Sequence, residues 1–269
     1  MEHLRADYTE VWGAGQNRPL IRFADAVDSI AATSIDLAGI PGVELPTHLL
    51  RRLRSFDEIV SWYGSSRPDF RGWAAELGLP FRFLPALPED VRGQHAADFF
   101  LEQARGLTGG VIVHPACPTL RIERTRPDAT FAVVHPFSGS KRKNWPLERY
   151  HELAERLQAE LPVFWCAGPE EPLDGAIRFD DLYELACWIA GASVYIGNDS
   201  GISHLAAAAG APVLALFGPT DPAVWAPLGA AVRIVSTPSP GMSIEAIMVE
   251  EVLDAVRGLL SARTQRRSE

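Results

Sequence analysis

The sequence predicts an α/β protein built on parallel sheets, and three observations carry that prediction. Short apolar runs alternate with segments of helical periodicity, the arrangement of strand–helix–strand units. The apolar runs are nearly continuous rather than alternating, as strands covered on both faces require. Glycine-, proline- and serine-rich stretches follow the runs and punctuate them. The 269 residues suffice for one large α/β domain or two smaller ones.

The elements follow in order, most legibly in the second half. Thr130 to His135 (TFAVVH) reads as a buried strand, followed by the loop PFSGSKRKNWP and a helix beginning near Pro146. Leu147, Tyr150, Leu153, Ala154 and Leu157 recur at helical spacing and give that helix one apolar face. Leu161 to Ala167 is the next strand, stopped by Gly168-Pro169. Asp180 or Asp181 caps a helix running to Ala190, with Leu182, Leu185, Ala186 and Ile189 inward. Ser193 to Gly197 is a strand, Gly201 to Ala209 a small-residue helix, and Pro212 to Phe217 a further strand. Val232 to Val235 and a final helix marked by Val249, Val252, Leu253, Val256 and Leu259 complete the pattern. In the first half, Tyr8 to Trp12, Ala26 to Ile30 and Asp57 to Tyr63 read as strands and Ala96 to Arg105 as a helix. The charged, proline-bearing stretch Arg121 to Asp128 marks a domain boundary, giving domains 1–127 and 128–262 and a disordered tail over 263–269.

Composition narrows the function. A formal charge of −9 argues against a general nucleic-acid binder, so any anion site is local. Cys117, Cys166 and Cys187 are widely spaced, which argues against a disulfide framework or structural zinc. No apolar stretch approaches membrane-spanning length and the first residues lack a signal-peptide core, which fits a cytoplasmic protein. The dinucleotide fingerprint, the P-loop and the serine nucleophile elbow are all missing, and Asp180-Asp181 lacks D-x-D spacing.

Candidate chemistry sits on loops that follow strand ends, where open α/β sheets bind ligands. Ser138-Gly139-Ser140-Lys141-Arg142-Lys143 offers backbone amides and cations to a phosphate; the competing reading is a solvated basic loop. Gly197-Asn198-Asp199-Ser200-Gly201 enters a helix, so its amides and the positive helix end form an anion site, with Asp199 free to cap the helix or accept from a sugar hydroxyl. His204 falls one turn later on the same side as Ser200 and Gly201. The stiff turn Gly218-Pro219-Thr220-Asp221-Pro222 shapes a pocket or is merely a turn, and Glu170-Glu171 offers carboxylates at the same rim. Trp145, Trp165, Trp188 and Trp225 read as packing residues.

In order, HPFSGSKRKNWPLERYHELAERL, GPEE and IGNDSGISHLAAAAGAPVLALFGPTDPAVWAPLG resemble the lipopolysaccharide heptosyltransferases, glycosyltransferase family nine. The resemblance is densest from Thr130 to Gly229. It implies a GT-B-like fold of two Rossmann-like domains facing a cleft, with an acceptor-side N-terminal domain and a sugar-nucleotide-binding C-terminal one. It also implies inverting, metal-independent transfer of a sugar, heptose from ADP-heptose, to a lipopolysaccharide-core or related glycan, with no cofactor. The partners so implied are an ADP-sugar donor and a glycolipid or oligosaccharide acceptor, with at most peripheral contact with the inner membrane. On this resemblance Ser138, Gly139 and Ser140 match the donor loop and Lys143 the phosphate-binding lysine. Asp199, Ser200 and Gly201 match the segment holding donor phosphates and sugar, His204 the following histidine, and Glu171 (or Glu170) a ribose-binding glutamate. The family's opening strand, glycine-rich turn and aspartate, its expected general base, find no match before RADYTEVWG. The expected first domain is therefore shortened or rebuilt, and no catalytic residue is assigned. The alternative is a non-catalytic sugar-nucleotide-binding or scaffold protein.

Overall fold

The computed structural model describes residues 6–87, 93–108, 118–122 and 130–268. The chain divides into two compact units, Met1–Ile112 and Val113–Glu269. Most of the expected boundary at 121–128 lies outside the described residues, as does Cys117. The Leu120 N–H donates to the Ala208 carbonyl at 2.8 Å, which fixes that stretch on the second unit.

The first unit pairs its strands in two separate parallel sheets. β1 (Glu10–Gly13) lies beside β2 (Ala26–Ser29), and β3 (Ile59–Ser61) beside β4 (Phe81–Phe83). Its helices are α1 (Ile30–Thr33), α2 (Thr47–Leu53), α3 (Pro68–Glu76) and α4 (Ala96–Thr108). α3 begins on Pro68, whose missing N–H is no loss in a first turn. It turns Phe70 and Ala74 inward, and Phe70 joins a core shared with Ile35, Leu49, Leu53 and Leu79. Phe70 is fully buried and meets Tyr63, Trp73, Phe81 and Phe83 at ring-centroid separations of 5.5–6.1 Å. The sequence pattern missed α2, α3 and β4, because elements this short carry weak periodicity.

Among the described residues, the second unit holds one five-stranded parallel sheet. Its strands are β5 (Ala132–His135), β6 (Val163–Trp165), β7 (Val194–Asn198), β8 (Val213–Phe217) and β9 (Val232–Ser236), in the order β6-β5-β7-β8-β9. β5, β7 and β8 are buried at every position, which explains why their sequences are unbroken apolar runs. The connecting helices are α5 (Leu147–Gln158), α6 (Leu182–Ala190), α7 (Gly201–Ala208), α8 (Pro222–Trp225) and α9 (Val249–Ser268). α5 buries Tyr150, Leu153, Ala154 and Leu157, all on the expected face. The cap of α6 is Asp181, whose carboxylate accepts from Tyr183 N at 2.6 Å and Glu184 N at 3.1 Å. The tail expected to be disordered continues α9 as far as Ser268. Arginine and glutamine there favour helix, no glycine or proline interrupts them, and cations suit a helix C-terminus.

Trp145 is the anchor of this unit's core. It is 1% exposed, its indole N–H donates to the Ile247 carbonyl at 3.0 Å, and its ring meets Tyr150 edge-on at 4.9 Å. Among the described residues, no helix is long and apolar enough to cross a membrane.

Candidate donor-binding site

The strand order of the second unit fixes where a ligand crevice forms. From β5 the chain leaves for β6 on one side, while from β7 it leaves for β8 on the other. The loops after β5 and β7 therefore diverge, and the space between them at the carboxyl ends is the topological switch point. Lys143, on the first loop, and Asp199, on the second, meet there.

Lys143 Nζ lies 2.7 Å from Asp199 Oδ2, and the Thr220 hydroxyl donates to that same oxygen at 2.7 Å. Three strand-end loops thus converge on one carboxylate. The Asp199 side chain is 8% exposed and that of Lys143 31%, so the carboxylate is nearly buried while the lysine still reaches solvent. Burying a carboxylate is costly unless it is paired and hydrogen-bonded, and both conditions are met here.

This use of Asp199 corrects its expected capping role. The cap of α7 is Ser200, whose hydroxyl accepts from Ser203 N at 3.4 Å. Asp199 is drawn away by Lys143 and Thr220, and its own N–H donates to the Leu216 carbonyl at 2.9 Å, extending the β7–β8 ladder.

The lysine loop is ordered from within. The Ser138 hydroxyl donates to Asn144 Oδ1 at 2.7 Å, with the Ser140 carbonyl 2.9 Å away, and a short 3₁₀ turn spans Lys141–Lys143. Gly139 is exposed, and a side chain built there would meet nothing within 4 Å. The same holds at Gly201, in the first turn of α7. Open space thus lies on the Cβ side of a glycine in each of the two segments that the sequence offered to a phosphate. His204 lies on the exposed side of α7's first turn.

Glu171 occupies the rim beside β5. Its Oε2 lies 3.1 Å from His135 Nε2 and accepts from the Gly168 N–H at 2.5 Å, while Glu170 is exposed. Burial pushes the Glu171 carboxyl up, but the hydrogen bonds from His135 and Gly168, with the charge of Arg178, outweigh it and hold the group below the usual range. The Glu171 side chain is 28% exposed. Cys166 sits close by; burial, reinforced by the Glu171 charge, pushes its thiol up to about 12.

The site also contains residues to which sequence reasoning gave no individual role: His135, and Asn198 and Thr220 within the candidate loops. Their places at strand ends are visible in the sequence, but their partners are distant along the chain. Only the register β5–β7 and β7–β8 brings them together.

Residues 120–248 match the model of Glycosyltransferase family 9 (heptosyltransferase). Lipooligosaccharide heptosyltransferase 2 of Haemophilus influenzae is 31% identical over 128 residues, covering 41% of this chain and 36% of that protein. Lipopolysaccharide heptosyltransferase 1 of Pseudomonas aeruginosa is 28% identical over 172 residues, covering 55% and 47%. The matches thus span less than half the length of either relative. The solved structure of the E. coli ADP-heptose lps heptosyltransferase II superposes with a TM-score of 0.69 at 19% identity, over 96% of this chain and 90% of that one. The fold is therefore the α/β, GT-B-like one of these enzymes. The matched residues 120–248 include Lys143, Asp199 and Thr220, so the candidate site lies within the part of the chain that is similar to the heptosyltransferase family.

Proposed function

We propose that the protein is an inverting, metal-independent glycosyltransferase that transfers a sugar, heptose from ADP-heptose, to a lipopolysaccharide-core or related cell-envelope glycan. The observation that carries this reading is the Lys143–Asp199–Thr220 cluster at the switch point of a parallel sheet, flanked by Gly139 and Gly201, beside whose Cβ positions there is open space. Similarity of residues 120–248 to the heptosyltransferase family and the ADP-heptose named for the E. coli structure support the choice of donor.

In this reading the donor diphosphate lies between the lysine loop and the start of α7. Lys143 supplies the positive charge that a metal ion supplies in other transferases, and the loop amides and helix end add fixed dipoles. As the glycosidic bond breaks, negative charge grows on the leaving diphosphate, and these groups stabilise it without reorganising. Asp199, held by Thr220, orients the lysine and offers its second oxygen to a sugar hydroxyl. Glu171, steadied by His135 and Gly168, accepts from the ribose. The acceptor hydroxyl attacks the anomeric carbon from the face opposite the diphosphate, which inverts that centre. The base on that hydroxyl carries no residue assignment. The protein acts at the cytoplasmic face of the inner membrane, with peripheral contact at most.

A second reading is donor binding without transfer. It is favoured by the first unit, whose described strands form two separate pairs rather than one sheet. Incubation with ADP-heptose and heptose-deficient lipopolysaccharide, with ADP release measured in the presence of chelator, separates the two. Release that depends on both substrates supports transfer. ADP binding with no release favours the second reading.

A further inference from the structure

Asn198 ends β7 one residue before Asp199, and its side chain is completely buried. Its carboxamide is turned wholly toward the lysine loop and the helix after it. The Nδ2 group donates to the Pro136 carbonyl at 2.8 Å. Oδ1 accepts from the Trp145 N–H at 3.1 Å and from the Tyr150 hydroxyl at 2.9 Å. The orientation of the amide is fixed by its partners, because the Pro136 carbonyl only accepts and the Trp145 N–H only donates.

Pro136 is where the chain leaves β5, and Trp145 is where it arrives at α5. One planar group therefore closes both ends of loop 137–144, which carries Ser138, Gly139, Ser140 and Lys143. The backbone of Asn198 is fixed as well: its carbonyl accepts from the Ser203 hydroxyl at 2.6 Å, in the first turn of α7. A single residue thus sets the register between the lysine loop and the helix start that faces it. Near-complete satisfaction in a buried setting makes these bonds strong and directional. Aspartate has the same shape but puts an acceptor against the Pro136 carbonyl, and alanine removes both ends of the clamp.

We propose that Asn198 is a positioning residue of the donor site: it acts through loop 137–144 to place Lys143 and the loop amides against the donor diphosphate. This rests on the donor-site reading above. It assigns to Asn198 no contact with the ligand.

The test uses the full chain as wild type, Asn198→Asp, Asn198→Ala and, as control, Tyr150→Phe, which removes one bond to Oδ1 but leaves both loop bonds. Hydrogen exchange read by mass spectrometry reports the loop amides, including the Trp145 N–H, and calorimetry reports binding of ADP and of inorganic diphosphate. The expected result for both Asn198 variants is exchange across 138–145 faster by about tenfold or more, with β7 and β8 still protected. ADP and diphosphate binding weaken by about tenfold in parallel, while Tyr150→Phe stays within about twofold of wild type. Exchange unchanged in the loop, or raised equally throughout the second unit, overturns the proposal. So does a loosened loop with full ADP affinity. Failure of the wild type to bind ADP overturns the donor reading and the positioning role together. Wild-type binding with an unmoved variant loop overturns the positioning role alone.

Discussion

Removing the Lys143 ammonium should weaken ADP binding through two separable effects. The first is the lost charge-assisted hydrogen bond to the diphosphate, worth ~1.5–3 kcal/mol. The second comes from Asp199, whose carboxylate is 8% exposed and shares one oxygen between Lys143 Nζ and the Thr220 hydroxyl, each at 2.7 Å. Without the lysine, that carboxylate faces an incoming anion with only a hydroxyl to offset it. Two like charges about 6 Å apart repel by ~3 kcal/mol at an effective dielectric near 20. Solvent reaching the site reduces this to a fraction, since the lysine side chain is 31% exposed. Lys143→Ala alone is then expected to cost ~2–4 kcal/mol, roughly 30- to 1,000-fold in Kd. Adding Asp199→Asn removes the repulsion and keeps a side chain that Thr220 can bond. The double variant should therefore bind ADP more tightly than Lys143→Ala, still ~1.5–3 kcal/mol short of wild type. Calorimetric titration of the three folded proteins with ADP at two salt concentrations supplies the comparison. Wild-type affinity in Lys143→Ala would remove the lysine from the site; a double variant weaker than the single one would refute the repulsion.

Three further outcomes follow from the structure. Glu171 has a folded value held below its unfolded one, so its stabilising contribution is complete above about pH 4.3 and disappears as pH falls through the folded value; Glu171→Gln should flatten the acid limb of a stability-versus-pH curve, and an unchanged limb contradicts the His135–Glu171 assignment. Cys166 is buried with its thiol pushed up to about 12, whereas Cys187 is partly exposed, so alkylation of the native protein near pH 8 should modify Cys187 faster than Cys166; equal rates at these two sites, read by peptide mapping, contradict this. A side chain at Gly218 would sit 2.5 Å from Ile244 Cβ and 2.7 Å from its Cα, so Gly218→Ala should lower stability by ~1–3 kcal/mol in thermal or denaturant unfolding, and an unchanged midpoint contradicts it.

The second unit was largely legible because its central strands are buried on both faces. Their burial is written as uninterrupted apolar sequence, as at Val133, Val134, Ile196, Leu214 and Leu216. Its helices declared themselves through Tyr150, Leu153 and Leu157, or through the Asp181 cap. The first unit hid more. β4 is Phe81-Arg82-Phe83, too short for any period to register, and α2 carries Arg51 and Arg52 beside its buried Leu49 and Leu53. At the site, the lysine loop and the Asp199 segment were visible as strand-end loops rich in glycine, serine and cations. Their partnerships were not. Asp199 has the composition of a cap, and only the adjacency of β5, β7 and β8 shows that Lys143 and Thr220 claim it instead. Asn198 was visible only as a member of the candidate segment Gly197–Gly201 for the same reason: its partners, Pro136, Trp145 and Tyr150, lie about fifty or more residues earlier in the chain and meet it only when β5 pairs with β7.

The measurement that bears most directly on the donor-site account is calorimetric titration of the full chain with ADP, UDP, GDP and NAD in the presence of chelator. The account predicts selective binding of ADP that needs no divalent metal and is lost in Lys143→Ala. Absence of binding by every nucleotide, or ADP binding that strictly requires magnesium, would contradict it.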